Sequence, residues 1–282
     1  MKISLYRENI MKILQKSFQF LILVLFTASV HAMPVKLKVM VKNVAPAGGV
    51  ALTPVWVGFH DGSFDSYNRG EASSAGIEAL AEDGNTDPIS ASFSLSGGND
   101  GVVLGGGNPP LIFPGTTGQA MLMVDSGNRY FSYASMVLAS SDYFVGNDNP
   151  LEHDISSLLD GTVNKISFFI GQSGSVNDAG TEVNDFNTSA GNPIFSGLPV
   201  GQTDAGQGAD ENAVIKIVDN AYDGFLHIPD GFDLSPLDFN QYSNGIAEVT
   251  ITAVPLPAAL PLTLTGLTML FGMKSFRRKA LM

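Results

Sequence analysis

The 282-residue chain contains no cysteine, so neither a disulfide nor a thiolate metal site can hold it together. Its fold must rest on a packed core or on metal bound through other ligands. Basic charge is scarce in the middle of the chain. Of the 15 Lys and Arg residues, Lys2, Arg7, Lys12 and Lys16 lie near the start, and Lys274, Arg277, Arg278 and Lys279 near the end. The stretch between them holds 7 basic against 26 acidic residues, an excess of 19 negative charges. A surface of that sign repels nucleic acid and anionic lipid, and it suits divalent cations or basic partners.

Catalytic signatures are sparse as well. Beyond residue 32 the only histidines are His60, His153 and His227, and no His-x-x-x-His pair occurs. Gly171-Gln172-Ser173-Gly174-Ser175 lacks the spacing of a nucleophile elbow. His60-Asp61-Gly62-Ser63 holds triad ingredients, but neighbours on a strand point to opposite faces and cannot converge. The reading is a non-enzyme. The single tryptophan, Trp56, sits in an apolar strand where core packing is expected. The alternative, an exported carbohydrate-binding or carbohydrate-active protein, calls for exposed aromatics.

What is present begins with a leader. Lys12 and Lys16 precede the apolar run Phe18–Phe26, and Val30-His31-Ala32 supplies a small residue for cleavage. This is the pattern of a secretory signal peptide, too short to span a membrane, and it assigns residues 1–32. At the other end, Val254-Pro255-Leu256-Pro257-Ala258 leads into an apolar run from Ala259 to Met273 and then the four terminal cations. Fifteen helical residues span roughly 22 Å, short of a ~30 Å hydrocarbon core. Positive charge after such a helix holds that end in the cytoplasm. Residues 254–282 therefore read as a C-terminal signal with one transmembrane helix, and 33–253 as one exported domain.

That domain reads as strands and loops. Val35–Val41 and Ile246–Thr252 alternate apolar with polar residues at period two. Ala120–Val124, Ser135–Ala139, Lys165–Ile170 and Val214–Val218 are short runs of strand length. The fold class is all-β, an antiparallel β-sandwich with its first and last strands in the same sandwich. One short helix is predicted, Ser73–Glu82, with Ile77, Leu80 and Ala81 inward and Glu78 and Glu82 on the surface. Long Gly/Asn/Asp-rich loops are predicted over 96–110, 171–192 and 201–212.

Two acidic segments carry candidate chemistry. Asn177–Asp185 places closely spaced carboxylates, an Asn amide and carbonyls on a Gly-containing turn, the kind of oxygen set Ca²⁺ requires. A solvated acidic loop is the competing reading. Ser140–Asp148 follows a strand directly, and Asp142 at its exit either reaches the same site or starts a turn.

Several blocks together resemble the spondin N-terminal domain, a module of secreted animal matrix proteins that also occurs in bacterial exported proteins. They are Phe59–Asp65, Ile77–Gly84, Ser135–Gly146, Asp178–Glu182, Gly224–Ile228 and Asn244–Ile251. The resemblance implies a β-sandwich with a bound divalent cation, held by Asp142, Asp178 and Glu182, with Asp125 as the acidic choice for a further ligand. Animal members carry Asp where this chain has Glu182, and their cysteines are absent here. The C-terminal segment resembles sorting signals of the PEP-CTERM class in the variant Val-Pro-Leu-Pro-Ala. That implies processing by an exosortase-type enzyme and display at the cell surface or in the matrix of a Gram-negative bacterium. The function implied is a non-catalytic adhesion or matrix module, with an extracellular polysaccharide or a surface protein as partner and no nucleic acid.

Overall fold

The computed structural model describes residues 34–184, 209–219, 221–222, 225–226 and 233–255. The leader, the apolar run 259–273, and residues 185–192 and 201–208 of the predicted loops lie outside the described residues. Among those described, no helix is long and apolar enough to cross a membrane.

The alternation in Val35–Asn43 (β1) has the consequence expected of it. Leu37, Val39 and Val41 are fully buried while Lys36, Lys38, Met40 and Lys42 face outward. This strand pairs antiparallel with Thr117–Val124 (β5) on one side and Ala247–Ala253 (β12) on the other, and Lys165–Ile170 (β9) completes a sheet in the order β5-β1-β12-β9. The first and last strands are therefore direct neighbours, Leu37 opposite Ala253 and Asn43 opposite Ala247.

A second antiparallel sheet is built around Val55–His60 (β3) and Tyr130–Leu138 (β6). Its order is β11-β10-β7-β6-β3-β4, where β4 is Asn99–Val103, β7 Tyr143–Gly146, β10 Val176–Asp178 and β11 Lys216–Ile217. Ala51–Leu52 (β2) and His153–Asp154 (β8) also pair with β6. The sheets enclose one apolar core, with Leu37, Val39, Val249 and Ile251 from one and Val57, Phe59, Phe131 and Val145 from the other.

All six residues of β3 are buried, because its sheet is covered on both faces. Val55, Val57 and Phe59 enter the sandwich. Trp56 points the other way, into a second cluster with Ile77, Leu80, Ile89 and Phe93. Gly58 lies on that side too, where a Cβ would sit 2.7 Å from the Trp56 ring and 2.8 Å from Phe93. The second cluster belongs to a helical layer of Ala75–Asp83 (α1) and Asp87–Phe93 (α2). The α1 helix starts where Ser74 Oγ accepts the Ile77 amide, and it ends at Gly84, whose φ of +66° gives a left-handed cap.

The expectation of a single helix is corrected by α2 and by the single turn Ser156–Leu159 (α3). Asp87–Phe93 is too short and serine-rich to show a helical period, and it is stabilised by packing on α1. The loops predicted over 96–110 and 171–192 are corrected as well, since β4 and β10 lie within them. Asn99-Asp100-Gly101 carries little intrinsic strand preference, and its pairing with β3 supplies the order. Glu82, expected on the surface, is half-buried, which holds its carboxyl above the usual range.

Candidate metal centre

Asp142 sits between β6 and β7, and Asp178 ends β10. Those strands pair with Asp178 opposite Tyr143, so the register brings two acidic segments of the sequence to one edge of the sheet. Asp178 also lies opposite Lys216 of β11, whose approach segment supplies Glu211. Carboxylate oxygens of Asp142, Asp178 and Glu211 all lie within 4.8 Å of one another.

The turn after β10 is wound to serve this cluster. Gly180 has φ +68°, and its amide donates to Oδ1 of Asp178 at 2.8 Å. A Cβ there would lie 2.8 Å from the Val214 carbonyl oxygen, so the close approach of the β11 segment requires glycine. Oδ2 of Asp142 accepts the amides of Thr181 at 2.8 Å and Glu182 at 3.2 Å, and the Thr181 hydroxyl at 3.3 Å. Its Oδ1 is buried and has no hydrogen-bond partner, while the residue as a whole has no exposed surface. A buried carboxylate oxygen left so carries a large desolvation penalty. Burial, with Asp178 beside it and Glu211 near, pushes the Asp142 carboxyl up to about 7, against the opposing effect of the two amides.

One cation is built in. Lys216 Nζ is 3.3 Å from Oδ2 of Asp178 and 3.4 Å from Oε1 of Glu211. Partial burial works against its charge, but the two carboxylates outweigh this and raise its pKa. Asn184 Nδ2 donates to Oδ2 of Asp178 at 2.8 Å. A cleft of about 260 Å³, lined by Tyr143, Asp178, Asn184 and Lys216 among others, opens beside the cluster.

The structure brings Asp142 and Asp178, two of the residues the resemblance implies, to one place. The third carboxylate of the cluster is Glu211, from the 201–212 stretch that composition predicts as a loop. Glu182 is buried beside the cluster, and its backbone amide makes the contact with Asp142. Asp125 is exposed at the end of β5, where its amide donates to Asn99 Oδ1 of β4. The second sheet places β4 four strands from β10, about 19 Å at ~4.8 Å per strand, so Asp125 stands apart from the cluster. Only a topology with β4 at the opposite edge separates them, and no local signal in the sequence carries that.

Of the other candidates, His60 and Trp56 belong to the interior. His60 is fully buried. Its Nδ1 accepts the Gly62 amide, so Nε2 is the donor to Ser132 Oγ at 2.9 Å. Asp61 is exposed and caps its own turn through the Ser63 amide. Trp56 is fully buried, with Nε1 donating to Asp100 at 3.0 Å, and offers no sugar platform. No known protein family matches the chain, and no curated protein matches it.

Proposed function

We propose that the protein is a non-catalytic exported adhesion or extracellular-matrix module whose loops are fixed by a divalent cation. The observation that carries this reading is Oδ1 of Asp142, fully buried and unpartnered within 4.8 Å of two more carboxylates. Three ionised carboxylates and the Lys216 ammonium leave two negative charges, which a divalent cation supplies in opposite sign. An all-oxygen set of this kind favours Ca²⁺.

Asp142, Asp178 and Glu211 would hold it. They come from three separate segments, so their joint occupation ties the β6–β7 junction, the turn after β10 and the approach to β11. The amides of Thr181 and Glu182 engage one oxygen of Asp142 and leave the other for ligation. The Lys216 side chain is half-exposed and can withdraw to water as the cation replaces it. The leader, the C-terminal sorting signal and the resemblance to spondin-type modules support display outside the cell, with an extracellular polysaccharide or a surface protein as partner.

The test is a thermal melt of the full chain in EDTA and across a Ca²⁺ titration, for wild type and Asp178→Asn. Binding to the native state alone adds roughly 2.7 kcal/mol at a hundredfold excess over Kd, a shift of about 5–10 °C for a domain of this size. A shift confined to wild type supports the centre, and no shift in wild type removes it. Turnover of polysaccharides by the full chain would replace the adhesion reading with the carbohydrate-active alternative.

A further inference from the structure

The few basic residues are not spread evenly. Of the 7 between the leader and the C-terminal signal, Lys36, Lys38, Lys42 and Lys165 lie on the outer face of the four-stranded sheet. Lys36, Lys38 and Lys42 alternate with the buried Leu37, Val39 and Val41, so all three project from the same side of β1. Register carries the face across the sheet. Lys36 lies opposite Met123 and Lys38 opposite Met121 on β5, while Lys38 also lies opposite Thr252 on β12, itself opposite Lys165.

The only acid among the outward residues of these four strands is Glu248, and none of the four lysines makes an ion pair among the described residues. Large apolar side chains stand between and beside the charges. Met121 is 54 % exposed, Met123 46 % and Phe169 40 %, beyond what a solvated sheet face needs.

We propose that this face binds a linear anionic polysaccharide, a carboxylate- or sulfate-bearing chain laid along β1. At about 3.4 Å per residue the row from Lys36 to Lys42 is about 20 Å long, the shape of a site for an extended polyanion. Met121, Met123 and Phe169 offer apolar surface to the C–H faces of the sugar rings. The remaining negative charge does not cancel the site, because charges beyond about 8 Å are largely screened at physiological salt.

A second copy of the chain is the weaker occupant. Among the described strands acids occur only at Asp100, Asp154, Asp178 and Glu248, one per strand, so no row of carboxylates matches the lysines. Nucleic acid fits poorly too, since Phe169 is the only aromatic on the face and base stacking needs several. The inference names a partner class for the matrix reading but uses a different face from the carboxylate cluster, so the two fail separately.

The test is calorimetric titration of the full chain with polygalacturonate in EDTA, with dextran and oligo-dT as comparison polymers. Wild type should bind polygalacturonate and not dextran, and raising NaCl from 50 to 200 mM should weaken binding by about tenfold. Lys36→Gln/Lys38→Gln/Lys42→Gln should weaken it at least as much with an unchanged melting temperature, whereas Arg129→Gln, at an exposed basic residue outside this sheet, should leave it unchanged. The proposal is overturned if wild type binds no polygalacturonate, if the triple variant binds equally well, or if oligo-dT binds as tightly. It is also overturned if the lysines serve only a salt-sensitive dimer seen by sedimentation.

Discussion

Thr181 and Asp142, 39 residues apart in the chain, are joined by a 2.8 Å hydrogen bond from the Thr181 amide to Oδ2 of Asp142. The bond fixes the Asp142 carboxylate in the interior and directs its second oxygen at no protein donor. A carboxylate held this way is costly without a cation, and the variants below separate that cost from the benefit of binding.

Asp142→Asn keeps the side-chain shape and an acceptor for the two amides while removing the charge. In EDTA at pH 8 the variant should be more stable than wild type by about 2–4 kcal/mol, since the native carboxyl titrates near 7 and the unfolded one near 3.8. Its Ca²⁺-dependent rise in melting temperature should vanish. Asp125→Asn should leave both properties at wild-type values, because Asp125 is exposed near the opposite edge of the second sheet. Chemical denaturation and thermal melts, each in EDTA and in Ca²⁺, measure these properties.

Two buried groups should bend the pH profile in opposite directions. Burial holds His153, stacked 3.9 Å over Phe168, down to about 4 from 6.5. The unfolded state therefore binds the extra proton, and stability is lost as pH falls from 6.5 towards 4, by up to about 3 kcal/mol. The raised Asp142 does the reverse in EDTA, with stability lost as pH rises from about 4 to about 7. Relative to wild type, His153→Phe should gain stability towards pH 4 and Asp142→Asn towards pH 7. Urea midpoints at half-unit pH steps are the measurement, and parallel curves would contradict both assignments.

Lys216→Met tests whether the built-in ammonium competes with a bound cation. The Lys216 side chain is half-exposed although Asp178 is buried, and a pair open to water on its cationic side contributes on the order of 1 kcal/mol. Calorimetry should show Ca²⁺ binding about three- to fivefold tighter, with slightly lower stability in EDTA.

Asn43→Ala should be the most damaging single change away from the acidic cluster. Nδ2 of this fully buried residue donates to the carbonyls of Val50 and Ile112, both at 2.9 Å, and Oδ1 accepts the Ala45 amide at 2.9 Å. Removal orphans three backbone groups at once, for a loss of roughly 3 kcal/mol or more in a denaturation experiment.

Much of the fold was legible because its signals are local. The alternation in Val35–Val41 predicted β1, Lys165–Ile170 coincides with β9, and the face Ile77–Leu80–Ala81 is the buried face of α1. β4 and β10 escaped because their residues, Asn99–Val103 and Val176–Asp178, are polar or few and gain their order from neighbouring strands. Of the cluster, Asp142 and Asp178 were visible as acids in turn-forming segments. Glu211 was not, since only the pairing of β10 with β11 brings it near.

By itself the sequence determined the all-β class, the absence of disulfides, the acidic balance and the alternating faces of β1 and β12, all properties of composition or of a two-residue period. Tertiary structure decided that the second sheet is covered on both faces, that Glu211 joins Asp142 and Asp178 while Asp125 stands apart, and that four of the seven lysines and arginines between residues 33 and 253 share one face. Those outcomes depend on which strands become neighbours and in what register. That choice is made by burying the whole core at once, and no local segment encodes it.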